Sequence, residues 1–406
     1  MTVTDLTAGA WCELQYYYTL TRLPGGRKPP TEQMKQGTRI HKVLEDQVHE
    51  TVKVDVATRE DAMGVRIWNL IQGLQTLAET GLTREVQVWG LLDGHVVSGV
   101  IDGLSWEDPG GPDALDEDVG SPGVEAEPIP MPPPELPARK RGRPKKSTDS
   151  TTQQRAMASF LGIQQIPPSP QPPLPEKQVY LLDVKTRGSS SIPPPSAILP
   201  AKIQLNLYRR FINEMIEGKL DFKKIYRRYG ADPDELFSDS FLAQMSSMHE
   251  GMFDEGSAQS QSLSQSSQAP ASQQQQQPQL SSPTLRYRTL NELTPLVQSC
   301  LDAAFPSGPL SVSPRLCVEY RHRNGGHVVK RVIFRANRAQ LDEYVANDLA
   351  WWKGDRTPRG VSLEDTFKCR SCDFAEDCSW RQELDMDRLR AARERILQRK
   401  AAGGAV

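Results

Sequence analysis

The sequence predicts an α/β fold, with helices around a mixed sheet and a charged site at one end of its central strand. Three observations carry this. First, Leu181-Leu182-Asp183-Val184-Lys185-Thr186 passes from apolar residues into alternating Asp and Lys. In a strand alternate side chains share a face, so Asp183 and Lys185 point the same way. A carboxylate and an ammonium placed together suit a metal site acting on phosphate. Second, residues 83–106 alternate as two strands around Asp93-Gly94, a type I′ turn signal. Third, segments with helical spacing of apolar residues lie between the strands.

Composition narrows the class. The chain has 406 residues, and its 32 prolines are concentrated in tracts that cannot pack a core, so one large domain is expected rather than three. The net charge of −2 gives no global basic field. Six cysteines in a chain this long do not make a secreted disulfide framework. No apolar run approaches the ~18 residues a membrane span needs. The first twenty residues lack the pattern of a signal or transit peptide. Either the protein is intracellular without a visible address, or this chain starts after one.

In order along the chain, residues 5–20 predict a short helix that sets Cys12 among Trp11, Tyr16, Tyr17 and Leu20. A second helix carries Ile40, Val43, Leu44 and Val48, with His41 and Glu45 four apart on one face. Gly37 lets its start lie close to another backbone. Residues 59–80 predict an amphipathic helix. The second strand of the hairpin ends in Ser98-Gly99-Val100-Ile101-Asp102-Gly103, and a buried unpaired carboxylate there would be costly. Meeting Asp183 across neighbouring strands, Asp102 would share a cation with it.

Residues 108–177 are rich in Pro, Gly, Ser and Gln, and are expected to be a disordered insert. Within it Arg139-Lys140-Arg141-Gly142-Arg143-Pro144-Lys145-Lys146 resembles an AT-hook, thin enough for the minor groove of an A·T-rich duplex. A nuclear-import signal and a solvated linker are the competing readings. After a Ser/Pro loop, a helix over about 199–217 is expected, with Pro200 in its first turn. It places Gln204 and Tyr208 on one face, with Arg209 and Arg210 beside them. Gln and Tyr can bond a substrate phosphate or fix the Lys. Further helices are expected over 232–248, up to 304 from a cap at Thr289 or Thr294, and over 337–353. Residues 250–283 form a second low-complexity insert, and 314–335 a hairpin. Cys300 and Cys317 read as core thiols.

Near the C-terminus, Cys369, Cys372 and Cys378 form C-x2-C-x5-C. Three cysteines this close read as metal or cluster ligands. Iron–sulfur clusters and all-Cys zinc sites need four thiolates, and Cys12 is the best-placed fourth.

Trp11-Cys12-Glu13, Gly37…His41…Glu45, Gly99-Val100-Ile101-Asp102, Asp183-Val184-Lys185-Thr186, Gln204…Tyr208 and the three C-terminal cysteines together resemble exonuclease V. This is the iron–sulfur family of PD-(D/E)xK nucleases related to the RecB nuclease domain. Ile101 stands where the family name has Pro. The resemblance implies a PD-(D/E)xK core over 1–107, 178–249 and 286–380, interrupted by inserts at 108–177 and 250–285 and followed by a helical tail at 381–406. It implies Mg²⁺ on Asp102 and Asp183, Lys185 as the catalytic lysine, and His41 and Glu45 completing the metal site. Gln204, Tyr208 and Arg209 would contact substrate. Cys12, Cys369, Cys372 and Cys378 would hold a [4Fe-4S] cluster stapling the two ends of the chain. The implied activity is 5′-to-3′ hydrolysis of single-stranded DNA in DNA maintenance, by a monomer in the mitochondrion. The nucleus is the alternative location. The runner-up function is a non-catalytic iron–sulfur DNA-binding protein with a nuclease-like fold, against which the intact Asp102, Asp183 and Lys185 argue.

Overall fold

A computed structural model describes residues 1–50, 52–111, 114–117, 177–248 and 286–403. The basic stretch at 139–146 and the insert at 250–285 lie outside them. Six strands form one mixed sheet: β1 (Leu82–Leu92), β2 (His95–Ser105), β3 (Ala114–Asp116), β4 (Val179–Arg187), β5 (Val312–His322) and β6 (Val328–Arg335), in the order β1-β2-β4-β5-β6-β3. The β1–β2 hairpin turns at Asp93 and Gly94, both with positive φ (50° and 78°), as a type I′ turn requires. Strand β4 lies between β2, antiparallel to it, and β5, parallel to it. The β2–β4 register, Gly103 opposite Leu182, puts Asp102 level with Asp183.

Helices α1 (Val3–Arg22), α2 (Glu32–Glu45) and α3 (Arg59–Thr80) precede the hairpin. The α3 bounds agree with the sequence expectation, because Thr58 and Asp61 form a capping box and Gly81 closes the helix in a left-handed conformation. Between β4 and β5 come α4 (Pro195–Ile216), α5 (Phe222–Tyr229), α6 (Asp239–Met248) and α7 (Leu290–Ala304). Helices α3, α4 and α7 pack with one sheet face into a single apolar core that includes Ile71, Trp89, Leu181, Phe211, Leu301 and Val318. Leu181 sits in this core, and Asp183, two residues on, carries the same face out to its edge. Finally α8 (Arg338–Trp352) and α9 (Ser379–Gly403) follow the second hairpin.

Four features depart from expectation, and one open choice is decided. Helix α4 starts at Pro195, not 199, so Pro194 is its cap, Pro195 takes the first position where no N–H is needed, and Pro200 lies inside. Ile198, in the added turn, is buried in the core. The helix expected over 232–248 begins only at Asp239, because the buried Asp61 carboxylate binds the backbone N–H and hydroxyl of Ser238 and holds the preceding residues in turns. Helix α5 was not anticipated. Of the two caps the sequence offered for α7, Thr289 is the one used, with Pro295 inside the helix. The insert expected from 108 opens with structure: Ala114–Asp116 pair in parallel with β6 as an edge strand.

Helix α1 is broken at Cys12, whose backbone is extended (φ −170°, ψ 115°). Just beyond it, Leu14 N–H donates to the Arg359 carbonyl (3.0 Å), and Glu13 takes a two-pronged ion pair from Arg356 (2.6 and 2.7 Å). These bonds join the first helix to the segment that leads into the C-terminal cysteines.

Candidate active site and cysteine centre

Asp183 is fully buried. Its Oδ1 accepts a hydrogen bond from Lys185 Nζ (2.7 Å), while Oδ2 has no hydrogen-bond partner. An orphaned buried carboxylate oxygen is costly unless a cation or a donor serves it. Asp102 lies beside it across the β2–β4 pair and accepts from the Val184 N–H (2.6 Å). Burial, reinforced by the charge of Asp183, pushes the Asp102 carboxyl up to about 7; Lys185, His41 and the Val184 N–H oppose this. Burial draws the Lys185 ammonium down, but Asp183 and Asp102 outweigh it, so it stays charged above its usual range. Lys185 Nζ also donates to Gln204 Oε1 (3.3 Å), and Gln204 Nε2 donates to the Tyr208 oxygen (3.0 Å). The Gln-x3-Tyr face of α4 therefore holds the lysine in place.

From the other side α2 supplies His41. The helix approaches β4 so closely that a Cβ at Gly37 would stand 3.0 Å from Thr186 Oγ1. His41 Nε2 lies 3.2 Å from the Val184 carbonyl oxygen, and Nδ1 lies 3.4 Å from Glu85 Oε1 and 3.9 Å from Asp102 Oδ1. Among the described residues, one group of three His, Cys, Asp or Glu side chains places its ligand atoms within 4.8 Å of one another: His41, Glu85 and Asp102. With Nε2–H donating to the carbonyl, the neutral ring turns its Nδ1 lone pair toward both carboxylates, an arrangement common in metal-ligating histidines.

Glu85 was not singled out in the sequence. It stands in β1 at the register position facing Asp102, and its φ of 52° is in the left-handed region. A non-Gly residue held there costs about 1–3 kcal/mol, and such strain clusters at functional sites. Glu45, by contrast, does not join the cluster. Although one turn from His41, its carboxylate takes the Lys42 ammonium at 3.2 Å. Arg209 is also placed elsewhere: its guanidinium donates to the carbonyls of Ser313 (3.0 Å) and Val312 (3.3 Å), anchoring the start of β5 away from Asp183.

Cys12, Cys369, Cys372 and Cys378 line one cavity with Trp11, Tyr18 and Phe374. Burial pushes the Cys12 thiol up to about 11, and the other three cysteines add to the rise. Four thiols converging in an apolar pocket suit a soft metal centre, which binds them as thiolates. Cys300 and Cys317 are buried apart from them, as core thiols.

A family model described as "Exonuclease V - a 5' deoxyribonuclease" matches residues 1–381. The chain belongs to the exonuclease V family. It is similar to Exonuclease V of Danio rerio, 22% identical over 385 residues, covering 94% of this chain and 70% of that protein. It is also similar to "Exonuclease V, mitochondrial" of Clavispora lusitaniae, 29% identical over 117 residues, 23% of each chain. The protein is thus an exodeoxyribonuclease. Asp183, Asp102, Lys185 and His41, which meet at the end of the central strands, form the candidate site for its chemistry.

One prediction arises at Glu85. Its contact with Nδ1 is the largest influence raising the His41 pKa, ahead of the opposing burial and of Asp102. Glu85→Gln should therefore lower the pKa of His41, read as the midpoint of its ring-proton shifts in an NMR titration of metal-free protein. An unchanged midpoint would show that the two side chains do not interact in solution.

Proposed function

We propose that this exonuclease hydrolyses single-stranded DNA from 5′ ends with Mg²⁺ held by Asp102 and Asp183, with His41 and Glu85 beside it. The observation that carries the reading is the buried, unpartnered Oδ2 of Asp183 next to the part-buried carboxylate of Asp102 and to Lys185. A bound cation supplies Lewis-acid polarisation of the phosphate and a lowered pKa for water. Asp183 and Asp102 would hold it with carboxylates whose orientation is fixed by Lys185 and by the Val184 N–H, Asp183 through its free Oδ2. Lys185 remains protonated and is aimed where negative charge develops on the phosphate. Gln204, fixed by Tyr208, keeps Lys185 from swinging away. The four cysteines suit a [4Fe-4S] cluster, which would join α1 to the C-terminal segment. The mitochondrial name of the Clavispora relative supports the same location here. The basic stretch 139–146 keeps its reading as a contact for A·T-rich duplex, and the chain acts as a monomer.

The test is the pH dependence of Mg²⁺ activation. Below about 7 the Asp102 carboxyl of metal-free protein holds a proton that the cation must displace. The Mg²⁺ concentration for half-maximal cleavage should then rise about tenfold per pH unit below that point and level off above it. The sign follows from the raised pKa: more protons are bound without metal than with it. Activation independent of pH between about 5 and 8 would contradict Asp102 as a ligand.

A further inference from the structure

We propose that a basic groove between helix α5 and the tip of the β1–β2 hairpin holds the uncleaved length of a single-stranded DNA substrate. This rests on the single-strand reading of the active site. Helix α5 is strongly two-sided. Ile225 and Tyr226 are fully buried, the Tyr226 hydroxyl bonds that of Thr294 (2.6 Å), and Phe222 meets the Trp89 ring edge-on at 6.3 Å. Asp221 caps its start through the N–H groups of Lys223 and Lys224, and Gly230 closes its end. The helix is therefore rigidly seated, and Lys223, Lys224, Arg227 and Arg228 all face outward and are exposed. Among the described residues none of these four forms an ion pair with a carboxylate.

Lys224, Arg227 and Arg228 line one wall of a groove whose other walls include His95 and Trp352. Asp5 also lines it, but its carboxylate is engaged by the Tyr16 hydroxyl and the Thr2 N–H, both at 2.7 Å. Unpaired cations on a fixed scaffold opposite an indole and an imidazole combine a track for phosphates with surfaces for bases, as single-strand binders do. The groove shares the hairpin with the active site. His95 begins β2 and Asp102 lies seven positions along it, a separation of about 23 Å at strand rise. A strand engaged at Asp102 and Asp183 can span that distance with several nucleotides.

The test compares the parent with Lys224→Ala/Arg227→Ala/Arg228→Ala by fluorescence anisotropy on labelled oligo(dT) in EDTA, across a salt series. Each lost phosphate contact removes about 0.7 from the slope of log affinity against log salt on single strands, so the triple variant should lose about 2. At about 0.1 M salt that corresponds to roughly 100-fold weaker binding. The charge-conserving Arg227→Lys/Arg228→Lys protein should keep the parental slope. An alanine variant with the parent's slope, affinity and melting temperature overturns the groove. So does loss of slope in the lysine variant, or a loss seen on an RNA oligomer or an acidic protein but not on DNA. Because binding is read without metal, parent protein that fails to cut oligo(dT) in Mg²⁺ contradicts the single-strand reading of the active site separately.

Discussion

Asp183→Ala is expected to lower exonuclease turnover by at least about a thousandfold, corresponding to roughly 4 kcal/mol of transition-state stabilisation. The size follows from what the side chain does. It is buried, it spends Oδ1 on Lys185, and it keeps Oδ2 free for a cation. Removing it takes away a metal ligand and the partner that fixes the lysine ammonium, so two contributions fall together. DNA binding in EDTA should change little, since the carboxylate would repel a phosphate rather than hold it. The fold should survive, because the change removes a buried charge that has an unsatisfied oxygen and leaves Lys185 its contact with Gln204. Asp183→Asn, which keeps the shape, should be nearly as inactive. Single-turnover digestion of labelled oligonucleotide measures this, and cleavage at the parental rate by folded Asp183→Ala protein would remove Asp183 from the metal site.

Cys12→Ser is expected to bleach the visible absorption of anaerobically purified protein, lower its melting temperature and abolish cleavage, although Cys12 lies on a different element from Asp102 and Asp183. The cavity it shares with Cys369, Cys372 and Cys378 bridges the broken α1 and the C-terminal segment. A centre there closes most of the chain into one loop. By the entropy argument used for disulfides, this contributes on the order of several kcal/mol. The neighbouring Glu13–Arg356 pair alone would hold the junction less firmly. Cys300→Ser should do none of this, because Cys300 packs into the core on α7. Iron and sulfide analysis separates a cluster, with about four of each, from a single zinc. Full metal content in the Cys12→Ser protein would place the fourth ligand elsewhere.

Much of the site was legible in the sequence because its residues sit in regular elements. The apolar-to-charged pattern of β4 and the Asp-Gly turn of the hairpin set Asp183 and Asp102 on neighbouring strands, and the period of α4 set Gln204 over Tyr208. Residues outside such periodicity were read less well. Glu85 faces Asp102 from a left-handed backbone, a placement no spacing rule announces. Glu45 has helical spacing from His41, yet spacing does not say that Lys42 will capture it. Arg209 looked like a phosphate contact because it adjoins Tyr208, but carbonyls at the start of β5 claim its guanidinium. The early start of α4 and the edge strand at 114–116 depend on burial and on pairing with β6, both long-range effects.

The most direct measurement is digestion of single-stranded DNA labelled at either the 5′ or the 3′ end by the purified protein, with Mg²⁺ and with EDTA. A metal-dependent exonuclease built on Asp102, Asp183 and Lys185 predicts that the 5′ label appears at once in short products while the 3′-labelled strand shortens progressively, and that EDTA stops both. Cleavage that persists in EDTA, or first products that come from the 3′ end, would contradict it.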